Sequence, residues 1–508
     1  MGSRKKGFGS RKKGFDDYGD IISGLPDDIL CHILTFLPTK EAASTTALAK
    51  RWKPLLKYVP NLDFDDSIYF HPRRSKDSTS FMIFVNGVLA LQENAALKRF
   101  HLKCEDDVDE SQVLDWIPKV LKRGVLDIDL HLSSSRNCAY SLNTLPSEIF
   151  VSKTLVRLKI QFRSGVSIEV DGDISLPKLK TLHLDCFRID TPMFNKLLSG
   201  CRALEELVLV NLMWDERVEP KPYFATVSIP ALKRLVYSRF RETRFFDEGD
   251  DFNQFVSLLF DNPNLVYLKY SDTLADRYQV SFNSLVEAKL KLRRTSGNIA
   301  KDKINVTRLL TGICNVKILY LSYATIKVLG LCRVTMPVFE NLIQLTIKTA
   351  LDVGWEPLLP LLKNSPNLQT LVFEGLHHKY AFKCWDDDED EDEEECDCKY
   401  QDELWVEKVV DTCLSSSPVK VIKIFNFGEI CYREEDIEDQ IEQVMQFLRT
   451  MPELEQVILY YDSPEDEDLM KLYKDLHELP TVASANCEVR LIFPNLSTTI
   501  SIRKGNLL

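Results

Sequence analysis

Apolar residues near the start of the chain follow helical spacing. Leu30, Ile33, Leu34 and Leu37 stand at i, i+3, i+4 and i+7, a stripe along one side of a helix. Leu25-Pro26-Asp27-Asp28 reads as the start of that helix, because proline is tolerated in a first turn and carboxylates favour the positive end of the dipole. Pro38 stops it. Thr39 is placed to cap a second helix running from Glu41 to Lys50, and Arg51-Trp52 leads into a third, short one containing Leu55 and Leu56. After residue 90 the pattern becomes apolar–x–x–apolar–x–apolar. It is clear at Leu179/Leu182/Leu184, Leu204/Leu207/Leu209, Leu342/Leu345/Ile347, Leu368/Leu371/Phe373 and Leu454/Val457/Leu459. Looser copies begin at Leu97, Val125, Leu155, Leu232, Leu265, Leu285, Val316 and Val419, and the starts from Leu97 to Leu368 lie 20 to 33 residues apart.

Those spacings imply an α+β repeat protein: a three-helix N-terminal segment, then an irregular solenoid of leucine-rich repeats. Each repeat supplies one short parallel strand and a helical or irregular return, and stacking buries a ladder of leucines. Turn residues such as Leu176-Pro177-Lys178 and Asn262-Pro263-Asn264 precede several copies. Strand alternation sends the residues between the leucines outward, onto the concave face. Candidate contacts there are Arg99, His101 and Lys103, then Arg157 and Lys159, and later Tyr267, Lys269 and Tyr320. Mixed charge with tyrosine suits a protein partner. The helical trio has too little chain to shield all its apolar side chains, so a partner is expected to cover them.

Charge sharpens this. The net charge is −12, but residues 386–397 hold eleven Asp/Glu and no Lys/Arg, which leaves −1 for the remainder. A nearly neutral body lacks the concentrated basic face of a nucleic-acid binder. The acidic run itself reads as a solvated loop at 381–403. Residues 2–8 recur as 9–15, so 1–19 reads as a disordered basic tail. No stretch has the length of apolar sequence needed to cross a bilayer, and the 13 cysteines show no framework spacing. Reduced thiols in the cytoplasm or nucleus are the expectation.

Catalytic signatures are not found: there is no glycine-rich phosphate loop, nucleophile elbow or zinc-protease helix. His377, His378, Cys384, Cys396 and Cys398 contain good zinc ligands but no paired C-x-x-C knuckles, so neither a metal nor a cofactor is expected.

The stretch LPDDILCHILTFLPTKEAASTTALAKRWKPLLKYVPNLDF resembles the plant-type F-box. Leu25, Pro26, Ile29, Leu30, Ile33, Leu34, Leu37, Pro38, Leu48, Arg51, Trp52 and Leu55 match its pattern, while Pro54 and Leu56 depart from it. The segment from Trp405 to Tyr461, with Val421-Ile422-Lys423-Ile424, Phe427-Gly428 and MPELEQVILYY, resembles the FBD module of plant F-box/leucine-rich-repeat proteins. The resemblance implies an F-box at 20–60, repeats at 90–380, an FBD module at 404–462 and a C-terminal cap at 463–508. It implies a non-catalytic subunit of a cullin-RING (SCF-type) ubiquitin ligase. Leu25, Pro26, Ile29, Leu30, Leu34, Leu37, Pro38 and Trp52 would serve binding to a Skp-type adaptor, and through it cullin and RING subunits. The repeats would hold a protein substrate. A scaffold that binds the adaptor without directing ubiquitylation stays open, as does a small-molecule receptor on the same repeats.

Overall fold

The computed structural model describes residues 22, 24–47, 50–67, 78–92, 95–105, 110–132, 145–214, 223–239, 256–294, 298–350, 356–376, 413–428, 435–461, 487–493 and 498–502. The basic tail, Leu48, the acidic run, Trp405 and the cluster His377, His378, Cys384, Cys396 and Cys398 lie outside them. The chain divides into two compact units, residues 1–142 with 154–163 and residues 143–153 with 164–508.

The first unit opens with helices α1 (Asp27–Leu34) and α2 (Thr39–Ser44), continued by 3-10 turns at Thr45–Ala47 and Leu55–Tyr58. Pro38, not Thr39, occupies the cap position of α2. The Thr39 hydroxyl instead accepts the backbone N–H of Asp63 at 2.7 Å. It satisfies a donor on strand β1 (Asn61–Asp65), which begins directly after the helices. Helix α3 (Ser78–Leu91), β2 (Arg99–Cys104), α4 (Glu110–Lys122), β3 (Asp127–Leu132) and β4 (Arg157–Ser167) follow, with β4 in this unit as far as Arg163. The four strands pair in parallel, and Leu62, Phe100, Ile128 and Leu158 stand in one register row, fully buried. The parallel ladder therefore starts at Asn61 rather than after residue 90. Val59, Leu62 and Phe64 carry the repeat spacing inside the end of the F-box-like stretch.

In the second unit the ladder runs through β5 (Thr181–Ile189), β6 (Glu206–Val210), the two-residue β7 (Met213–Trp214), β9 (Arg234–Ser238), β11 (Tyr267–Thr273), β13 (Glu287–Arg293), β14 (Ile318–Leu321), β15 (Gln344–Lys348), β16 (Thr370–Glu374), β17 (Val421–Phe427), β18 (Gln456–Tyr461) and β19 (Glu488–Phe493). One buried row passes along it without a break: Leu182, Leu207, Leu235, Leu268, Ala288, Leu319, Leu345, Leu371, Ile422, Val457 and Val489. Burying each large aliphatic side chain contributes about 1.5–3 kcal/mol. The segment that resembles the FBD module adds β17 and β18 to the same ladder, and β20 (Thr498–Ile502) closes β19 in antiparallel.

Among the described residues, helical returns in this unit include α5 (Thr191–Ser199), α6 (Ile299–Gly312), α7 (Tyr323–Cys332), α8 (Leu359–Lys363) and α9 (Glu435–Thr450). Asp190, Asn298 and Ser322 cap the first three through their side chains. Three further returns carry strands, which the repeat pattern does not foretell. β8 (Tyr223–Val227), β10 (Val256–Asp261) and β12 (Tyr278–Ser281) form a small parallel sheet of their own. Asn262, from the Asn-Pro-Asn turn, is fully buried and ties two repeats together. Its amide donates to the Val227 carbonyl at 2.7 Å, and its carbonyl accepts from the Ile229 N–H at 3.0 Å.

Two features carry unusual local cost. Arg239 and Asp272 form an ion pair at 3.3 Å with side chains only 8% and 5% exposed, and burial pushes the Asp272 carboxyl up to about 6. Gly428 has φ +77°, and a Cβ there would run into the Tyr461 ring, while its N–H donates to Gln440 at 2.9 Å. Gly428→Ala is expected to cost about 2 kcal/mol or more, seen as a lowered melting temperature. Asp272→Ala is expected to cost about 3–5 kcal/mol in denaturant unfolding, because it strands the Arg239 charge. A loss under about 1 kcal/mol would show that the pair contributes nothing to the fold.

Candidate functional site

Two surfaces bear on function, one on the helical segment and one on the open side of the parallel strands. In the helical segment Leu30, Leu34, Ala42, Trp52, Leu55, Leu56 and Val59 form a closed apolar cluster, with Leu25, Cys31, Leu37 and Ala43 packed partly against it. Arg51 fixes the entry to α1, donating to Asp27 Oδ1 at 2.6 and 3.0 Å and to the Leu25 carbonyl at 2.6 Å. Gln92, at the end of α3, donates to the carbonyls of Leu56 and Val59 at 2.6 and 3.3 Å, which clamps the segment to the first repeat.

The sequence-predicted residues therefore fall on two sides. Leu30, Leu34 and Trp52 face inward and hold the helices together; Leu25, Leu37 and Pro38 are half-buried; Pro26 and Ile29 are exposed. Beyond these, the outer side presents Ile22 at 55%, Ile29 at 46%, Ile33 at 37% and Phe36 at 74% exposure. The Phe36 ring stands edge-on to His32 at 5.0 Å. Ile33 and Phe36 were legible as apolar positions, but only the structure separates the inner stripe from the outer one. These outward apolar side chains make this side of the segment the candidate contact surface.

On the open side of the first unit, charge is paired off row by row. Arg99 faces Asp127 at 3.9 Å, His101 pairs with Asp63, Lys103 meets Asp65 at 3.4 Å and Glu105 at 2.8 Å, and Lys159 meets Asp129 at 3.5 Å. The hydrogen bond to Asp63 raises the pKa of His101, and burial raises that of Asp127. Of the sequence candidates, Lys159 is thus committed within the sheet, and Arg157 stands across from Asp127 in register.

The second unit differs. Tyr267 lies under the Arg234 guanidinium at 4.0 Å, Lys269 is exposed beside it, and the Tyr320 hydroxyl donates to Glu374 at 3.1 Å. Tyr267, Lys269 and Tyr320 share one face of this sheet, whereas Arg157 and Lys159 belong to the other unit.

Six of the described thiols are held in their protonated form. Burial pushes the thiols of Cys201 up to about 12 and Cys487 up to about 11, and also raises Cys31, Cys104, Cys314 and Cys332. A thiol held protonated is a poor nucleophile. Among the described residues no group of three His, Cys, Asp or Glu could hold a metal, and no helix is long and apolar enough to cross a membrane.

Comparison with known proteins bears on the helical segment and on part of the strand ladder. Residues 22–64 match the F-box domain model, and residues 113–243 match the model described as "FBD-associated F-box protein At5g56370, LRR repeats". Among relatives from Arabidopsis thaliana, putative F-box/LRR-repeat protein At4g00320 is 59% identical over 521 residues, covering 99% of this chain and 100% of the relative. Putative F-box/LRR-repeat protein At5g41840 is 58% identical over 534 residues, covering 96% and 98%. Putative F-box/FBD/LRR-repeat protein At3g59240 is 42% identical over 490 residues, covering 94% and 90%. With identity this high over nearly its whole length, the chain belongs to the F-box/LRR-repeat protein family.

Proposed function

We propose that this chain is the substrate-recognition subunit of a cullin-RING (SCF-type) ubiquitin ligase, acting in the cytoplasm or nucleus. The F-box takes a Skp-type adaptor, which links it to cullin and RING subunits, and the strands that follow take a protein substrate. The observation that carries this reading is the outward apolar group Ile22, Ile29, Ile33 and Phe36, on the segment that matches the F-box model. Left in water these side chains forgo roughly 1.5–3 kcal/mol each, which an adaptor surface would recover. Leu25, Pro26, Leu37 and Pro38 form the partly exposed border of that contact, and Leu30, Leu34 and Trp52 support it from within.

The chain contributes no reacting group. Its effect is to hold a substrate close to ubiquitin charged on the conjugating enzyme, so that transfer becomes effectively intramolecular. Residues 404–462 act as an FBD module that extends the recognition surface.

Separating inner from outer residues gives a sharp test. Ile29→Asp with Phe36→Asp is expected to weaken capture of the chain by an immobilised Skp-type adaptor by about tenfold or more, with the melting temperature unchanged. Leu25→Ala with Pro26→Ala should weaken it in the same direction. Leu34→Ala should instead cost about 2–5 kcal/mol of stability, and capture would fall only as folding does. Undiminished capture by the Ile29/Phe36 double variant would remove the docking role.

A further inference from the structure

We propose that the open face of the second unit, from β11 to β18, receives an acidic, extended segment of the substrate protein. This rests on the recognition-subunit reading and names the substrate chemistry that it leaves open.

The first observation is an excess of positive charge. Lys269, Lys289, Lys291, Arg293, Lys348 and Lys423 point to the open side of β11, β13, β15 and β17, Lys291 and Arg293 with partners of their own, and the acidic residues on that side of the described strands from β11 to β17 are Glu287 and Glu374. Both glutamates are engaged, Glu287 by Lys289 at 3.2 Å and Glu374 by the Tyr320 hydroxyl at 3.1 Å. Among the described residues no ion pair or hydrogen bond holds the ammonium groups of Lys269, Lys348 or Lys423. In the first unit the corresponding lysines each have a carboxylate within reach, Lys103 with Asp65 and Lys159 with Asp129. Among the described residues, then, these lysines of the first unit are ion-paired, whereas Lys269, Lys348 and Lys423 of the second are not, although Lys348 stands opposite Glu374 in register.

The second observation is register. Lys269 stands directly opposite Lys289 across the β11–β13 pairing. Like charges facing each other across strands destabilise a sheet; Glu287 offsets Lys289, and a bound carboxylate would offset Lys269.

The third is an apolar seat at one end of the cationic strip. Phe425, 36% exposed, stacks on Tyr460 with ring centroids 4.3 Å apart and an 11° angle. Aromatic surface beside desolvated charge is where binding energy concentrates in protein contacts. The six neighbouring strands from β11 to β17 span about 24 Å, the reach of roughly seven extended residues. An acidic segment with one apolar side chain satisfies all three features, carboxylates over the lysines and the apolar group on Phe425 and Tyr460.

The test uses the full chain and a fluorescein-labelled dodecapeptide of alternating Asp and Glu around a central Phe, read by anisotropy. The acidic peptide is expected to bind, more weakly as salt is raised, and its Asn/Gln twin at least about tenfold more weakly. Lys269→Glu, Lys348→Glu and Lys423→Glu together should weaken binding at least about tenfold, whereas Lys119→Glu on α4 should not change it. Lys269→Gln and Lys348→Gln, at exposed positions, provide the same readout should the triple variant not fold; no loss in either overturns the proposal. So do equal binding of the neutral twin, absence of binding, and a thymidine dodecanucleotide that binds more tightly through the same lysines. Adaptor capture by the lysine variants should match that of the unmodified chain. Failure of peptide binding therefore leaves the recognition-subunit reading standing, and failure of adaptor capture in the unmodified chain removes that reading by itself.

Discussion

Within each unit everything depends on parallel strands stacking in strict register. A strand slipped by one residue would turn its leucines to water and its lysines inward, because successive side chains point to opposite faces. In the second unit the row from Leu182 to Val489 passes through eleven strands without such a slip. That constancy frees the opposite face. Once the leucines hold each strand, the residues between them can be chosen for their chemistry, and the two units have been furnished differently: carboxylates interleaved with cations in one, Lys269 facing Lys289 in the other.

The helical segment follows the same division of labour on a smaller scale. Leu30, Leu34 and Trp52 close a compact cluster, and Ile29, Ile33 and Phe36 are left outside it. Inner residues set whether the segment folds, and outer residues are what it presents to its surroundings. Arg51 and Gln92 are the polar connections that keep the two sets in place, one at the start of α1 and one from α3.

Much of this was legible in the residues. At each of the thirteen places where the spaced pattern begins, a strand starts two residues later, from Arg99 after Leu97 to Gln456 after Leu454. Leucine spacing succeeds because it records burial, which is what stacking requires. The unforeseen strands lack that record or hide it. β1 has it in Val59, Leu62 and Phe64, but those residues read equally well as the end of the helical segment. β8, β10 and β12 are short return strands, each set by its neighbours rather than by its own spacing. Thr39 was read as a helix cap because local rules favour that use, whereas its hydroxyl serves a strand 24 positions away. The residues between the leucines stand on the open face, yet which cation meets which carboxylate depends on register, and that is a property of pairs of strands.

The bond from Asp63 to Thr39 has a further meaning. β1 is joined to β2 on one side, and on its other flank the helical segment supplies an acceptor for its backbone. The N-terminal helices are thus a lid on the end of a sheet as well as the segment that matches the F-box model. Cutting them away would bare unpaired amides together with Val59 and Leu62, the kind of raw margin on which foreign strands assemble. A truncated chain would accordingly be a sticky molecule and not simply a disconnected one, so probing the proposed adaptor contact calls for changes to its outer side chains with the lid kept shut.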